Sequence, residues 1–299
     1  KYIEEYQSNQ TGKLQEIIDT NPAKTAIVVG DGVSYEFAQD IIEKVSKEYT
    51  LSKEHQYIFA GLPSETEHNM SQLYIDSGTV VKDKQDREAY LLKQNKDKSI
   101  GFIDLEKVNE TSDKEHYLIC SYKDPDKLGE TYQHKALKYF DLVAGIFATK
   151  IEQLFKNGYQ NVYLVTDHGF VLTGILDNSD KIEVDFKGNV KISERFIRSE
   201  NKQKIDTNLL IEKEVVYNNF NYSYFAKRLG PFKSTGVYGF SHGGLSPQET
   251  IIPFLKWSND NNAQDQLQVV IYKKKDLNDV TGDLFSIVFT RFFMLIRGF

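Results

Sequence analysis

A chain of 299 residues has room for one large domain, or for one domain with an accessory piece. With 40% hydrophobic and 13% aromatic residues it can fill a core, which excludes wholesale disorder. A net charge of −6 excludes a surface coated in basic groups for nucleic acid, though not a local basic groove, and the lone Cys120 excludes a disulfide framework and points to a reducing, cytoplasmic setting.

The chain opens on Lys1 rather than Met, so upstream sequence is read as lost, and 1–24 as an N-terminal helical linker. Thr25-Ala-Ile-Val-Val-Gly30 is the first strand, with Asp31-Gly32 directly behind it. Ser34 has the form of a helix N-cap, and Phe37, Ile41, Ile42 and Val45 repeat at helical spacing. Asp31 therefore sits in a strand-to-helix turn, either as a carboxylate favouring the helix dipole or as a ligand. Tyr57-Ile-Phe-Ala60 is a second strand and runs into Gly61-Leu-Pro-Ser-Glu-Thr-Glu-His-Asn-Met70. Ser64-x-x-Glu67 matches a capping box and leaves Thr66 in the first helical turn, where free N–H groups favour an anion. A hydroxyl there, beside divalent ions, can ionise and attack phosphorus or sulfur. Thr66 is the first candidate nucleophile, Ser64 the second, and His68 reads as a surface histidine.

Residues 76–115 are charged and carry one helical piece at 87–94, with no functional signal. A buried strand follows at 116–121, and Asp124-Pro125 opens a helix. Asp126 and Glu130 lie one turn apart with His134 a turn further, a ladder that suits a metal or a solvated face. Ala136, Phe140, Val143, Phe147, Ile151 and Leu154 form the apolar stripe of a long helix. This β-α-β order predicts a parallel sheet with helices on both faces.

Asn161-Val-Tyr-Leu-Val-Thr-Asp-His-Gly-Phe170 is the centre of the pattern, a strand buried on both faces that stops at Asp167-His168-Gly169. Open α/β sheets place their chemistry at such carboxyl ends. A carboxylate beside an imidazole suits Zn²⁺ or Mn²⁺, the alternative being an Asx-capped turn. From 172 to 238 shorter alternating runs such as Ile182-Glu-Val-Asp-Phe186 predict an inserted β-rich cap, with Lys204, Lys213, Arg228 and Lys233 facing a substrate. Gly239-Phe-Ser-His-Gly-Gly-Leu-Ser-Pro-Gln-Glu249 then places His242 in a glycine-rich turn before an apolar strand, and 266–272 predicts a last strand at a sheet edge. The apolar stretch 284–299 is too short for a bilayer span and is interrupted by Arg291 and Arg297; 276–299 is read as a tail or truncated downstream segment.

The VTDHGF motif around Asp167 and HGGLSPQETIIP from His242, with the Asp31-Gly32-x-x-Tyr35-Glu36 and LPSET elements, resemble the PglZ domain, a branch of the alkaline phosphatase superfamily. The resemblance implies a three-layer α/β sandwich with a mostly parallel sheet, its core formed by 25–171 and 239–275 and its cap by 172–238. It implies that Asp31, Thr66, Asp167 and His168 surround one metal ion and Asp126, Glu130 and His242 a second. Two divalent ions are expected, zinc first and manganese as the alternative, at the usual two-metal spacing of about 4 Å. Glu130 stands where the superfamily often has histidine, with His134 as a possible substitute, and Ser34 stands where an arginine is expected. Glu36 and Ser64 are the expected substrate contacts.

The function implied is a metal-dependent phosphodiesterase on nucleotides or nucleic acid, with Thr66 as metal-activated nucleophile. Its expected setting is a cytoplasmic BREX-type phage-defence assembly, with other defence proteins as partners and no membrane. The resemblance extends to response regulators of bacterial secretion that carry a PglZ output module, for which 1–15 would end a linker helix. A metal-stabilised scaffold without catalysis, and a phosphomonoesterase or phosphomutase for small metabolites, are the alternatives.

Overall fold

Strand β1 (Thr25–Gly30) is buried along its whole length, and alternate residues feed two different cores. Ala26 and Val28 join Phe37 and Ile41 of α2 (Tyr35–Lys44) and Phe140, Val143 and Phe147 of α6 (Leu137–Lys156). Ile27 and Val29 join Leu14, Ile17 and Ile18 of α1 (Lys13–Thr20), Met70 and Leu73 of α3 (Thr66–Tyr74) and Leu91 of α4 (Lys84–Gln94). A strand with no polar face must be covered on both sides, and each fully buried Val or Ile contributes roughly 1.5–3 kcal/mol. The result is helix, sheet and helix in three layers. The computed structural model describes residues 5–54, 56–77, 79–110, 115–173, 177–233 and 239–259, and the backbone of two short strands beyond them.

The main sheet has seven strands. β4 (Ile100–Asp104), β5 (Tyr117–Tyr122), β1 and β6 (Asn161–Thr166) run parallel side by side. β13 (Ile251–Ser258) lies antiparallel to β6 and carries β2 (Thr50–Leu51) and β3 (Tyr57–Phe59) antiparallel on its other edge. Gly30 is level with both Tyr122 and Thr166, so β1, β5 and β6 stop on one line. The next residues, Asp31, Lys123 and Asp167, therefore emerge along one edge. The chain also crosses from one side of β1 to the other between β5 and β6, the switch point at which open α/β sheets bind ligands.

Between β6 and β13 stand β7 (Val171–Leu172) paired with β12 (Phe240–Ser241), and an antiparallel sheet of β8 (Val190–Ile192), β9 (Phe196–Ser199), β10 (Leu210–Tyr217) and β11 (Phe220–Ala226). This sheet has its own core of Ile197, Leu210, Tyr224, Ala226 and Phe232. Ile182, in the alternating run expected as a strand, makes a single bridge to Phe232.

Several local readings change. α1, within the stretch read as a linker, packs three residues into the core. Helix α3 is capped at Glu65 rather than Ser64, because the Ser64 hydroxyl is bonded to Gly243 and Gly244 instead. His68 is buried at 9% exposure against Tyr217 rather than on the surface. Two units are distinguished, Lys1–Asn259 and Asp260–Phe299. In the second, β14 (Val269–Ile271) pairs antiparallel with β15 (Phe289–Arg291); the rest of the expected strand at 266–272 and of the tail lies outside the described residues. Among the described residues no helix is long and apolar enough to cross a membrane.

Candidate metal centre and nucleophile

Asp31 follows β1, and Gly32 turns the chain at a φ of 68°. A Cβ on Gly32 would lie 3.0 Å from Asp126 Cβ, so glycine allows the turn to press against α5 (Asp124–Tyr132). The Asp126 N–H donates to the Asp31 carbonyl at 3.2 Å, which locks the two carboxylates into one site. Across the sheet, Asp167 Oδ1 accepts the N–H groups of Gly32 at 3.1 Å and His168 at 2.8 Å. Gln10 and Asn69 donate side-chain amides to the Asp167 carbonyl and so hold the turn from behind.

His168 Nδ1 lies 2.9 Å from the Gly169 carbonyl, and a carbonyl accepts only, so Nδ1 carries the hydrogen and Nε2 presents a lone pair. The Thr66 hydroxyl meets that lone pair at 3.0 Å and lies 3.4 Å from Asp31 Oδ1. His242 repeats the logic: its Nδ1 donates to the Ser64 carbonyl at 2.9 Å, leaving Nε2 3.8 Å from Asp126 Oδ1. The two imidazoles stack with centroids 3.9 Å apart and planes within 9°.

Two groups of donor atoms result, Asp31, Asp167 and His168, and Asp126, His168 and His242, each with its atoms within 4.8 Å of one another. Asp167 Oδ2 and Asp126 Oδ1 are buried without a hydrogen-bond partner among the described residues. Such orphaned carboxylate oxygens are costly unless a cation meets them. Burial, then the neighbouring carboxylates Asp167 and Asp126, push the Asp31 carboxyl up to about 9. Burial and Asp126 raise Asp167 to about 7 against the bonds from Gly32 and His168. Burial and His242 hold His168 neutral, its pKa down to about 3. Burial opposes charge on His242, but Asp126 and the Ser64 carbonyl outweigh it and raise its pKa. Crowded carboxylates beside two imidazole nitrogens form an oxygen and nitrogen donor set that fits divalent ions such as zinc or manganese.

The other expected site residues lie as follows. Ser64 is fully buried, and its hydroxyl accepts from Gly243 and donates to the Gly244 carbonyl, so it clamps the His242 loop. Glu130 sits one turn beyond Asp126 on an exposed stretch of α5, outside both donor groups; desolvation, then the Asp126 charge, raise its pKa. The ladder breaks after Glu130 because Gln133 takes a φ of 55°, which leaves His134 exposed on a separate 3-10 turn. Glu36 is exposed in the first turn of α2 and belongs to neither donor group. Ser34 caps α2 by accepting from Phe37 N at 3.1 Å.

The cap contributes residues that sequence spacing does not reveal. Arg195 grips Glu249 through two bonds of 2.9 Å, and Glu249 in turn accepts from Gly244 and Ser246. Arg198 bonds Glu65 at 2.5 Å and stacks on Tyr217 at 3.8 Å, while the Tyr217 hydroxyl donates to Glu67 at 2.6 Å. The residues on both sides of Thr66 are thus held by the cap. Glu194 faces the same region: burial, then the Glu130 charge, raise its carboxyl to about 7 against the pull of His242. Among the lysines and arginines expected to face a substrate, Lys204, Arg228 and Lys233 are exposed, and Lys233 pairs with Glu183.

Comparison with known proteins agrees with this architecture. A murine ectonucleotide pyrophosphatase/phosphodiesterase 5 superposes with a TM-score of 0.51 at 11% identity, over 78% of this chain and 87% of that one, which is a likeness of fold. The alkaline phosphatase-like protein PglZ of Bacillus cereus is 22% identical over 270 residues, 81% of this chain. The chain spans 32% of that relative's length. Residues 11–138 and 126–257 match the model described as the BREX system PglZ alkaline phosphatase-like domain, and together these matches take in all four motifs of the site. The chain belongs to the PglZ family of alkaline phosphatase-like domains.

Proposed function

We propose that the protein is a metal-dependent phosphoesterase acting on phosphodiesters of nucleotides or nucleic acid, with Thr66 as its nucleophile. One observation carries the reading: the Thr66 hydroxyl lies 3.0 Å from His168 Nε2, in a site where Asp167 Oδ2 and Asp126 Oδ1 have no hydrogen-bond partner among the described residues. Fold alone would not carry it.

Asp31, Asp167 and His168 would hold one ion, and Asp126 and His242 a second, with Glu130 one turn beyond Asp126 on α5. When bound, such ions favour the ionised hydroxyl and offset charge on the phosphoryl group. The chain supplies the rest. Thr66 stands at the first position of α3, where unpaired N–H groups and the helix dipole favour an anion. With His168 Nε2 engaged by an ion, the Thr66 hydroxyl beside it would face that same ion, and the cap holds the flanking residues Glu65 and Glu67. Thr66 Oγ1, its proton passed to solvent, attacks phosphorus; the ester oxygen leaves with the bonding pair and takes a proton from water, and a second water oxygen then displaces Thr66 Oγ1, which takes back a proton.

Membership of the PglZ family supports a place in a bacterial phage-defence system, with other defence proteins as partners in the cytoplasm; zinc is the ion proposed. The test is metal content by mass spectrometry beside hydrolysis of a chromogenic phosphodiester and its monoester. About two ions per chain and diester cleavage lost in Asp167→Ala are expected. Bound metal with neither ester cleaved would leave a metal-stabilised scaffold in place of an enzyme.

A further inference from the structure

A pocket opens beside the nucleophile on the α3 and α4 side of the sheet. Its lining brings Thr66 and Asp31 together with Lys84, Arg87 and Lys123. Among the described residues, Asp31 is the one carboxylate that lines it. Its volume of about 50 Å³ is room for roughly four waters, enough for one tetrahedral oxyanion.

The three cations differ in how far the protein satisfies them. Lys84 reaches Ser121 Oγ at 2.7 Å, with Asp104 at 3.5 Å and Glu88 at 3.7 Å. Arg87 is only 9% exposed; its Nη1 donates to the Val81 and Lys82 carbonyls, but its Nε–H is buried with no acceptor among the described residues. Lys123 makes no ion pair among the described residues, yet its charge is felt at Asp31. Two ammonium groups and a guanidinium on one pocket, with Asp31 the one carboxylate lining it among the described residues, suit an anion with several oxygens.

We propose that this pocket is a second anion subsite, which holds a phosphate that is not itself attacked while Thr66 acts on a neighbouring phosphorus of the same substrate. The inference rests on the phosphoesterase reading above and narrows it. The favoured substrate class is a phosphodiester that carries a further phosphate next along the chain, such as a terminally phosphorylated oligonucleotide, over the same diester without it. The subsite also supplies, from α4 and the end of β5, positive charge on the phosphate side that Ser34 does not.

The test compares three dinucleotides with one scissile bond, ApA, pApA and ApAp, on the zinc-loaded protein, with products separated by chromatography. At least a tenfold higher kcat/KM for one phosphorylated form is expected, residing mainly in KM, and its identity tells on which side of the scissile bond the subsite lies. Lys123→Ala and Lys84→Met should each lower that preference severalfold, with the fold checked by circular dichroism; Arg87 is avoided because its backbone bonds also hold the loop before α4. Equal kcat/KM for all three dinucleotides, or a preference that survives in both variants, would overturn the subsite and leave the phosphoesterase standing. Cleavage of none of the three, with metal bound, would overturn both.

Discussion

Arg195 and Glu249 face each other through two bonds of 2.9 Å, with side chains 3% and 0% exposed, and join the cap to the loop that follows His242. Burial raises the Glu249 carboxyl, but Arg195 and Ser246 outweigh it and hold its pKa below the ordinary range. The pair is a bidentate charge contact deep in the protein, where breaking one side strands the other.

Arg195→Met is therefore expected to cost about 3–5 kcal/mol in urea unfolding, and Arg195→Met with Glu249→Leu to cost less than the single change. A double variant as unstable as the sum of the two singles would show that the contact contributes little.

Thr66→Ala should reduce diester turnover by at least about 10⁴-fold while zinc content stays unchanged, because the change removes the hydroxyl and one methyl and leaves both donor groups intact. Thr66→Ser keeps the hydroxyl and should retain measurable turnover. Comparable rates for Thr66→Ala and the parent would remove Thr66 from the chemistry.

Asp31 titrates at about 9 and Asp167 at about 7, against 3.8 in the unfolded chain. The folded protein holds protons that the unfolded chain has released, so this stabilisation is complete below about 4 and is lost as pH rises toward 9. His168 runs the other way, about 3 against 6.5, and its contribution is already complete above 6.5. Metal-free protein should therefore lose Tm between pH 6.5 and pH 9. Metal ions bind the ionised carboxylates, so zinc should raise Tm more at pH 9 than at pH 6.5, with proton release in weakly buffered solution at neutral pH. Equal zinc stabilisation at both pH values would count against these carboxylates as ligands.

A Cβ at Gly169 would lie 2.0 Å from the Gln248 carbonyl, while the Gly169 N–H donates to the Glu249 carbonyl at 3.0 Å. Gly169→Ala should cost about 1–3 kcal/mol or more and lower zinc stoichiometry, because the displaced turn carries Asp167 and His168. Calorimetry and metal analysis check both; an unperturbed variant would mean that the loop yields freely.

What the sequence makes legible follows from local pattern. TAIVVG and NVYLVT are short apolar runs ended by ligand-type residues, and strand periodicity places Asp31 and Asp167 correctly at carboxyl ends. Ser34 is legible as a cap because capping is a contact over three residues. Ser64 looked equally like a cap, yet a contact 180 residues away claims its hydroxyl, and no local rule anticipates that. The same holds for Arg195 and Arg198, whose partners Glu249 and Glu65 lie 54 and 133 residues away. The charged stretch 76–115 gave no periodic signal beyond one short helical piece, but it forms α4 and β4 and supplies Lys84 and Arg87 to the pocket beside Thr66. Asp126, Glu130 and His134 form a ladder only while the helix continues, and the backbone at Gln133 ends it.

Three parallel strands stop level with one another at Gly30, Tyr122 and Thr166. The sheet below that line is apolar and indifferent to what comes next, so the identity of the single residue after each strand sets the charge of the site. Lys123 is the open socket on this frame, since Asp31 and Asp167 belong to one donor group and Asp167 Oδ1 also ties the Gly32 and His168 N–H groups. Replacing Lys123 with aspartate would turn a wall that attracts anions into a third acidic position without altering one strand pairing. A scaffold of this kind lets substrate preference drift by single substitutions while folding stays the same.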